Sequence, residues 1–330
     1  MSSAGPMRTV LRKMLQGNDL SFRDFVEVAL YHPEFGYYAK QARPEADYIT
    51  SPRLSQLFSE TLTGLIGEFS SRVGDAVSTV VDVGCGDGSL ILNMSSRVPS
   101  SGVRWFGVDR SLERLRPEAS ANPDLHFVRT IDEVSRDGAH LVIANELFDA
   151  LPFARLVQRD EHLHELWVSD RSGELDWSEY EAPGPYEDYF ASRGIALQDG
   201  QFADISLEWD AYYRDLCRFV QRGMIVVFDY GFPQEKLFHA RVRRFGTAAS
   251  YHAHRVTRDL LANPGEQDIT AHINFTDLIR AGEESGFTTL YFDRQAKFLL
   301  SLGAADNPML REESASLEAL ARKEDARRRV

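Results

Sequence analysis

Two short stretches hold residues whose types and spacing suit chemistry. In DVGCGDG (82–88), Gly84, Gly86 and Gly88 sit between Asp82 and Asp87. In ANELFDALPF (144–153), Asn145 and Glu146 follow directly on the apolar run His140-Leu141-Val142-Ile143, and Asp149 comes two large apolar residues later. Glycine is needed where a ligand lies against bare backbone, or where φ is positive. An amide and two carboxylates at the end of a core strand raise the question of what they hold.

The glycine spacing narrows the ligand. A dinucleotide fingerprint, G-x-G-x-x-G, needs a third glycine at position 89, where Ser89 stands. No G-K-[ST] follows, so this is not a triphosphate-cradling loop. Asp82 and Asp87 are poor neighbours for a pyrophosphate and suit a ligand with a positive end. S-adenosylmethionine carries an ammonium and a sulfonium. Asp109 closes the next strand, where an acid can accept hydrogen bonds from both ribose hydroxyls. Cys85, inside the turn, is read as a small inward-facing filler.

In an open α/β sheet, ligands sit outside the carboxyl ends of the strands. The glycine turn ends the first strand, Asp109 the second, and Asn145 with Glu146 the fourth. All border one crevice. Methyl transfer needs in-line attack on the sulfonium methyl, so positioning the nucleophile is the main task. Carboxylates hold a guanidinium bidentately, and Glu146 with Asp149 form the best pair available. Asp149 has a second reading as a helix cap.

The elements that must position these residues follow from periodicity. STVVDVG (78–84), VRWFGVD (103–109), LHFVRT (125–130) and AHLVIAN (139–145) read as strands. Helices are expected at 89–97 and 111–120 between them. This alternation predicts an α/β fold with a largely parallel sheet flanked by helices, which with the glycine turn and Asp109 resembles the class I (Rossmann-like) methyltransferase architecture. Helical patterns at 7–31 and 54–69 predict an N-terminal helical cap, with Ser21 as an N-cap. Residues 155–204 break the alternation, with a hairpin over 154–170, a turn at Ser172-Gly173 and punctuation at Gly184-Pro185. They are expected to form a β-rich insertion. A helix at 207–221, a strand at 224–231, an irregular stretch at 232–273, a helix at 274–285 and a strand at 287–293 complete the reading. The expected domains are a cap with cofactor-contacting loops (1–75), a core (76–154 and 205–305), the insertion (155–204) and a charged tail (306–330).

Composition excludes other classes. A net charge of −13 over 330 residues argues against nucleic-acid or anionic-membrane binding. The longest apolar runs, such as Met224–Phe228, are too short to span a bilayer. Two cysteines, Cys85 and Cys217, offer no disulfide framework, so a reducing, cytoplasmic setting is expected. Arg8, Arg12 and Lys13 precede the first acid, Asp19; a transit peptide to the mitochondrial matrix is the alternative to a basic first helix. His162/His164 and His252/His254 are spaced to share a strand face, but no third ligand is evident and no metal is expected.

Six motifs, in order, resemble the MidA-like family of class I S-adenosylmethionine-dependent methyltransferases. They are HPEFGYY (32–38), DYITSPRLSQLF (47–58), DVGCGDG (82–88), NELFDALP (145–152), FDYG (228–231) and NPGEQDITAHINF (263–275). The resemblance implies cofactor contacts at Tyr38, Thr50, Ser51 and Pro52, besides Asp82, Gly84, Gly86, Gly88, Asp109 and Asn145. It implies substrate-side roles for Glu146, Asp149, Asp268, Thr270 and His272, with His272 as a base or an orienting group. Mitochondrial members are arginine methyltransferases needed for respiratory complex I assembly, so a partner protein presenting an arginine, such as a complex I subunit, is the implied substrate. Departures occur at Ala46, Arg53, Ala249 and Ala296, where the family has Gly, Glu, Arg and Gly. They bear on the substrate more than on the cofactor. A small-molecule acceptor, and a non-catalytic assembly factor keeping the fold, remain open beside the arginine reading.

Overall fold

Five continuous apolar segments pair into a parallel sheet in the order Gly223–Phe228, His140–Asn145, Thr79–Val83, Arg104–Val108, Leu125–Val128. The computed structural model describes residues 5–39, 56–98, 102–252 and 255–303. Every residue of the central strand Thr79–Val83 and of its neighbour His140–Asn145 is buried, as expected for strands covered on both faces. The helix Gln56–Val73 lays Phe58, Leu62, Leu65 and Phe69 into one core with Val80, Trp105, Leu141, Ile143 and Phe228. These elements belong to one of two compact units, made of Ile49–Leu147, Tyr213–Phe228 and Ala281–Val330.

Two expectations fail in this unit. The helix read over 111–120 is a short 3₁₀ turn, Leu112–Arg114, and a single helical turn, Pro117–Ser120. Pro117 forces Arg116 into an extended conformation (φ −64°, ψ 144°), which breaks the helix. The strand read over 287–293 is not formed. Its β-branched and aromatic residues give strand propensity, but propensity does not supply a pairing partner. Leu290, Tyr291 and Phe292 are exposed, and Gly223–Phe228 is the sheet's edge among the described residues.

The other unit comprises Met1–Tyr48, Phe148–Tyr212 and Asp229–Arg280. An antiparallel sheet orders Leu20–Ser21, His162–Arg171, Ala154–Arg159 and Phe202–Ile205, with Glu174–Glu181 also paired to His162–Arg171. The hairpin at Ser172-Gly173 turns with φ of 56° and 90°, the mirror-type turn that matches strand twist. Gly184-Pro185, read as punctuation, instead opens the helix Gly184–Ser192, because proline is tolerated in a first helical turn. The helix Phe22–Tyr31 buries Phe22, Phe25, Val26, Ala29 and Leu30. Ser21 caps it by accepting from the Asp24 N–H at 3.1 Å. The first helix, Pro6–Met14, spends two of its three basic side chains on folding contacts. Arg8 donates to the Ala262 carbonyl at 2.7 Å and pairs with Glu174, and Arg12 donates to the Gly173 carbonyl.

The stretch 232–273 is more ordered than its sequence suggests. Ala249–His252, Arg255–Thr257 and Asp268–Thr270 form a three-stranded antiparallel sheet, and Ile273–Asn274 pairs with Gly231–Phe232. Strands of two to four residues are too short to show a period. The helices Glu208–Phe219 and Phe275–Glu284 lie where they were expected. Among the described residues, no helix is long and apolar enough to cross a membrane.

Candidate active site

The central strand ends at Val83 and the chain turns through Gly84, Gly86 and Gly88, with φ of 74°, 57° and 75°. All three are left-handed, where a side chain is strained. A Cβ at Gly84 would also come within 2.9 Å of Leu147, whereas one at Gly86 would meet no atom within 4 Å. The Gly86 backbone therefore faces open space. Its N–H donates to Asp109 Oδ2 at 2.9 Å, while Asp109 Oδ1 accepts from the Ser111 N–H at 2.8 Å. Each carboxylate oxygen retains a second lone pair for an incoming hydroxyl.

Asp82 is buried, and its Oδ2 has no hydrogen-bond partner among the described residues. Burial, reinforced by the negative charges of Asp109 and Asp87, pushes its carboxyl up to about 8. Asn145 Oδ1 is likewise buried without a partner. Asp82 pairs in register with Ile143, and residues two apart on a strand share a face, so Asp82 and Asn145 point to the same side of the sheet. Two orphaned acceptors beside a bare glycine turn fit the ammonium end of S-adenosylmethionine. Asp87 does not share this role. Its carboxylate accepts from the N–H of Ser89, the first residue of the helix Ser89–Ser95, at 3.1 Å and pairs with Arg116 at 2.8 Å. The electrostatic case from two acids thus narrows to Asp82. Cys85 is buried and free, and its thiol is held protonated by burial, as befits packing.

Asn145 ends its strand, and Glu146 follows with φ 52°, a non-glycine residue in the left-handed region. That conformation costs about 1 kcal/mol and is held by a 2.7 Å hydrogen bond from the Glu146 N–H to the Phe228 carbonyl. Backbone strain of this kind gathers at functional positions. Glu146 is half-buried.

The chain enters the second unit at Phe148. The Phe148 N–H donates to Asp229 Oδ2 at 2.8 Å, and its carbonyl accepts from Trp209 Nε1 at 2.6 Å. Asp149 is buried in a turn with no helix after it, so the capping reading is removed. Tyr38 donates its hydroxyl to Asp268 Oδ1 at 2.8 Å. Burial first, then the charge of Asp268, the neighbouring Tyr31 and Tyr37, and the charge of Asp149, hold the Tyr38 hydroxyl protonated well above the usual phenol range. Asp149 and Asp268 thus both lie within electrostatic range of Tyr38. Asp268 and Thr270 lie on a strand paired to Tyr251 and Ala249. The His272 N–H donates to Thr247 Oγ1 at 3.1 Å, and its ring lies 5.3 Å from that of Phe232. Thr50, Ser51, Pro52 and the Arg53 departure lie outside the described residues. His252 Nδ1 binds the Glu266 carbonyl at 2.8 Å. Among the described residues, no three His, Cys, Asp or Glu side chains gather as metal ligands.

Sequence reasoning missed two supporting acids. Asp229 anchors the segment that carries Asp149; the FDYG motif contained it, but nothing in the spacing assigned it. Asp204 accepts from Arg155 at 2.6 Å and from the Thr247 and Ala248 N–H groups at 2.6 and 2.7 Å, fixing the turn that supports His272. An isolated acid in an apolar strand was its only signal.

The parallel sheet and its glycine turn define an α/β methyltransferase that uses S-adenosylmethionine. The chain belongs to the family of S-adenosyl-L-methionine-dependent methyltransferases whose pattern matches residues 106–293. A crystal structure from Burkholderia thailandensis, of a protein bound to S-adenosyl-homocysteine, superposes with a TM-score of 0.80. It is 26% identical and covers 93% of this chain and 85% of that one. The mitochondrial protein arginine methyltransferase NDUFAF7 of Danio rerio is 23% identical, covering 86% of this chain and 74% of its own length. The Drosophila melanogaster homologue of that enzyme is 24% identical over 86% of this chain and 72% of its own.

Proposed function

We propose that this methyltransferase modifies an arginine side chain of a partner protein. The observation that carries the reading is the pair of buried carboxylates Asp149 and Asp268 with the half-buried Tyr38, whose hydroxyl donates to Asp268 at 2.8 Å. A guanidinium is planar, always charged and suited to bidentate carboxylates. The names of the two curated relatives support the same choice.

S-adenosylmethionine supplies an electrophilic methyl group on a sulfonium. Asp82 and Asn145 would take its ammonium, the N–H groups of the glycine turn its methionine backbone, and Asp109 its ribose hydroxyls. Tyr38, Thr50, Ser51 and Pro52 are proposed to line the rest of the pocket. Glu146 accepts hydrogen bonds from the acceptor's N–H groups and turns one nitrogen toward the methyl. Asp149 and Asp268 balance the guanidinium charge, Thr270 contacts the substrate, and His272 receives the proton released as the N–C bond forms. The compartment proposed is a reducing one, as buried free Cys85 and Cys217 suit. It is the mitochondrial matrix by likeness to relatives named mitochondrial, or the cytoplasm. A complex I subunit is the proposed partner on the family's resemblance.

Methyl transfer from labelled S-adenosylmethionine into proteins of a lysate lacking this chain tests the roles. Glu146→Gln is expected to lower transfer by about a hundredfold or more while S-adenosylhomocysteine still binds. Wild-type transfer by that variant would overturn the assignment.

A further inference from the structure

From Lys236 to Arg258 the chain holds six cationic side chains and no carboxylate, within a protein of net charge −13. Elsewhere, arginines are taken up by partners: Arg8 by Glu174, Arg129 by Glu113, Arg159 by Glu179 and Arg193 by Asp277. Arg241, Arg244 and Arg255 differ. All three are exposed. None of their guanidinium groups forms an ion pair or hydrogen bond with a described residue. Interleaved with them are large apolar side chains that face solvent: Val242 is 65% exposed, Phe245 56% and Val256 48%.

The two segments form one surface. Arg258 stands over the Phe245 ring at 5.9 Å, and Phe245 lies 6.5 Å from Phe202, itself covered by Arg155 at 4.8 Å. The backbone beneath is pinned, since the Phe202 N–H donates to the Arg244 carbonyl at 2.8 Å and Asp204 holds the turn that follows. A rigid patch loses little conformational freedom when it binds.

We propose that this arginine-rich patch is a docking site for an acidic segment of a partner protein, its carboxylates flanking a large apolar side chain. Arginine and aromatic residues concentrate in protein–protein interfaces, and exposed apolar groups among unpaired charges mark a covered surface. An extended polyanion, whether nucleic acid or anionic bilayer, would meet the negative field of the rest of the chain. A short acidic segment meets only the patch, because charges beyond about 10 Å are screened at ordinary ionic strength. The patch also shares a sheet with the acceptor side: Arg255–Thr257 pairs with Ala249–His252, which pairs with Asp268–Thr270. The inference goes beyond methyl transfer and is read by binding alone.

The test is fluorescence anisotropy of the full-length chain with a labelled synthetic peptide of repeated Glu-Leu-Glu-Phe units. The wild type is expected to bind it, more weakly as salt rises. Arg241→Glu/Arg244→Glu/Arg255→Glu should weaken binding by about tenfold or more, leaving S-adenosylhomocysteine affinity and the melting temperature unchanged. Phe245→Ser should weaken it severalfold. If the triple variant melts early, Arg255→Gln alone decides, with a severalfold loss expected. No wild-type binding, equal binding by the variants, or preference for phosphatidylserine vesicles over the peptide would overturn the proposal.

Discussion

At the residue scale, Asp82 makes a pH-dependent claim. Its folded carboxyl titrates at about 8, against an ordinary value near 4. Between those values the folded state holds a proton that the unfolded state has released, so the free protein loses stability as pH rises through that window. A ligand ammonium at Asp82 requires the ionised carboxylate. S-adenosylhomocysteine should therefore bind more tightly as pH rises from about 6.5 to 8.5 and release a proton on binding, as titration calorimetry in two buffers would show. Asp82→Asn should remove that dependence; an unchanged pH profile would remove Asp82 from the ammonium site. Asp82 and the glycines were legible because a tight turn after a buried strand imposes a local spacing. Tyr38 and Asp268 were not legible from spacing, being 230 residues apart. Asp87 misled, since its partner Arg116 lies in a different element.

Elements were legible where their period was long and continuous. The five parallel strands and the helix Gln56–Val73 carry unbroken apolar patterns. The short strands between 249 and 274 carry none and depend on tertiary support. Asp204 provides part of it, a fully buried side chain holding Arg155 and two backbone N–H groups. Asp204→Ala leaves a charge and two donors unpaired and should cost about 3 kcal/mol in a denaturant titration. A loss below about 0.5 kcal/mol would show that the turn carrying Thr247 stands without it. The segment 287–293 is the converse case, with strand-forming residues and no partner strand among the described residues.

At the scale of the whole molecule, the two units divide the proposed labour: the glycine turn, Asp82 and Asp109 in one, and Tyr38, Asp149 and Asp268 in the other. The fold and cofactor class follow from contiguous patterns, whereas the acceptor rests on side chains brought from distant parts of the chain. Departures from the family pattern at Arg53, Ala249 and Ala296 bear on that acceptor. Ala249 is buried on the strand paired to Thr270, leaving no arginine at that point. The most direct measurement is therefore the chemical identity of the methylated group. Protein labelled by the purified enzyme with radioactive S-adenosylmethionine would be hydrolysed to amino acids and resolved. The label is expected to elute as methylated arginine. Label in another amino acid, or in small molecules only, would contradict it.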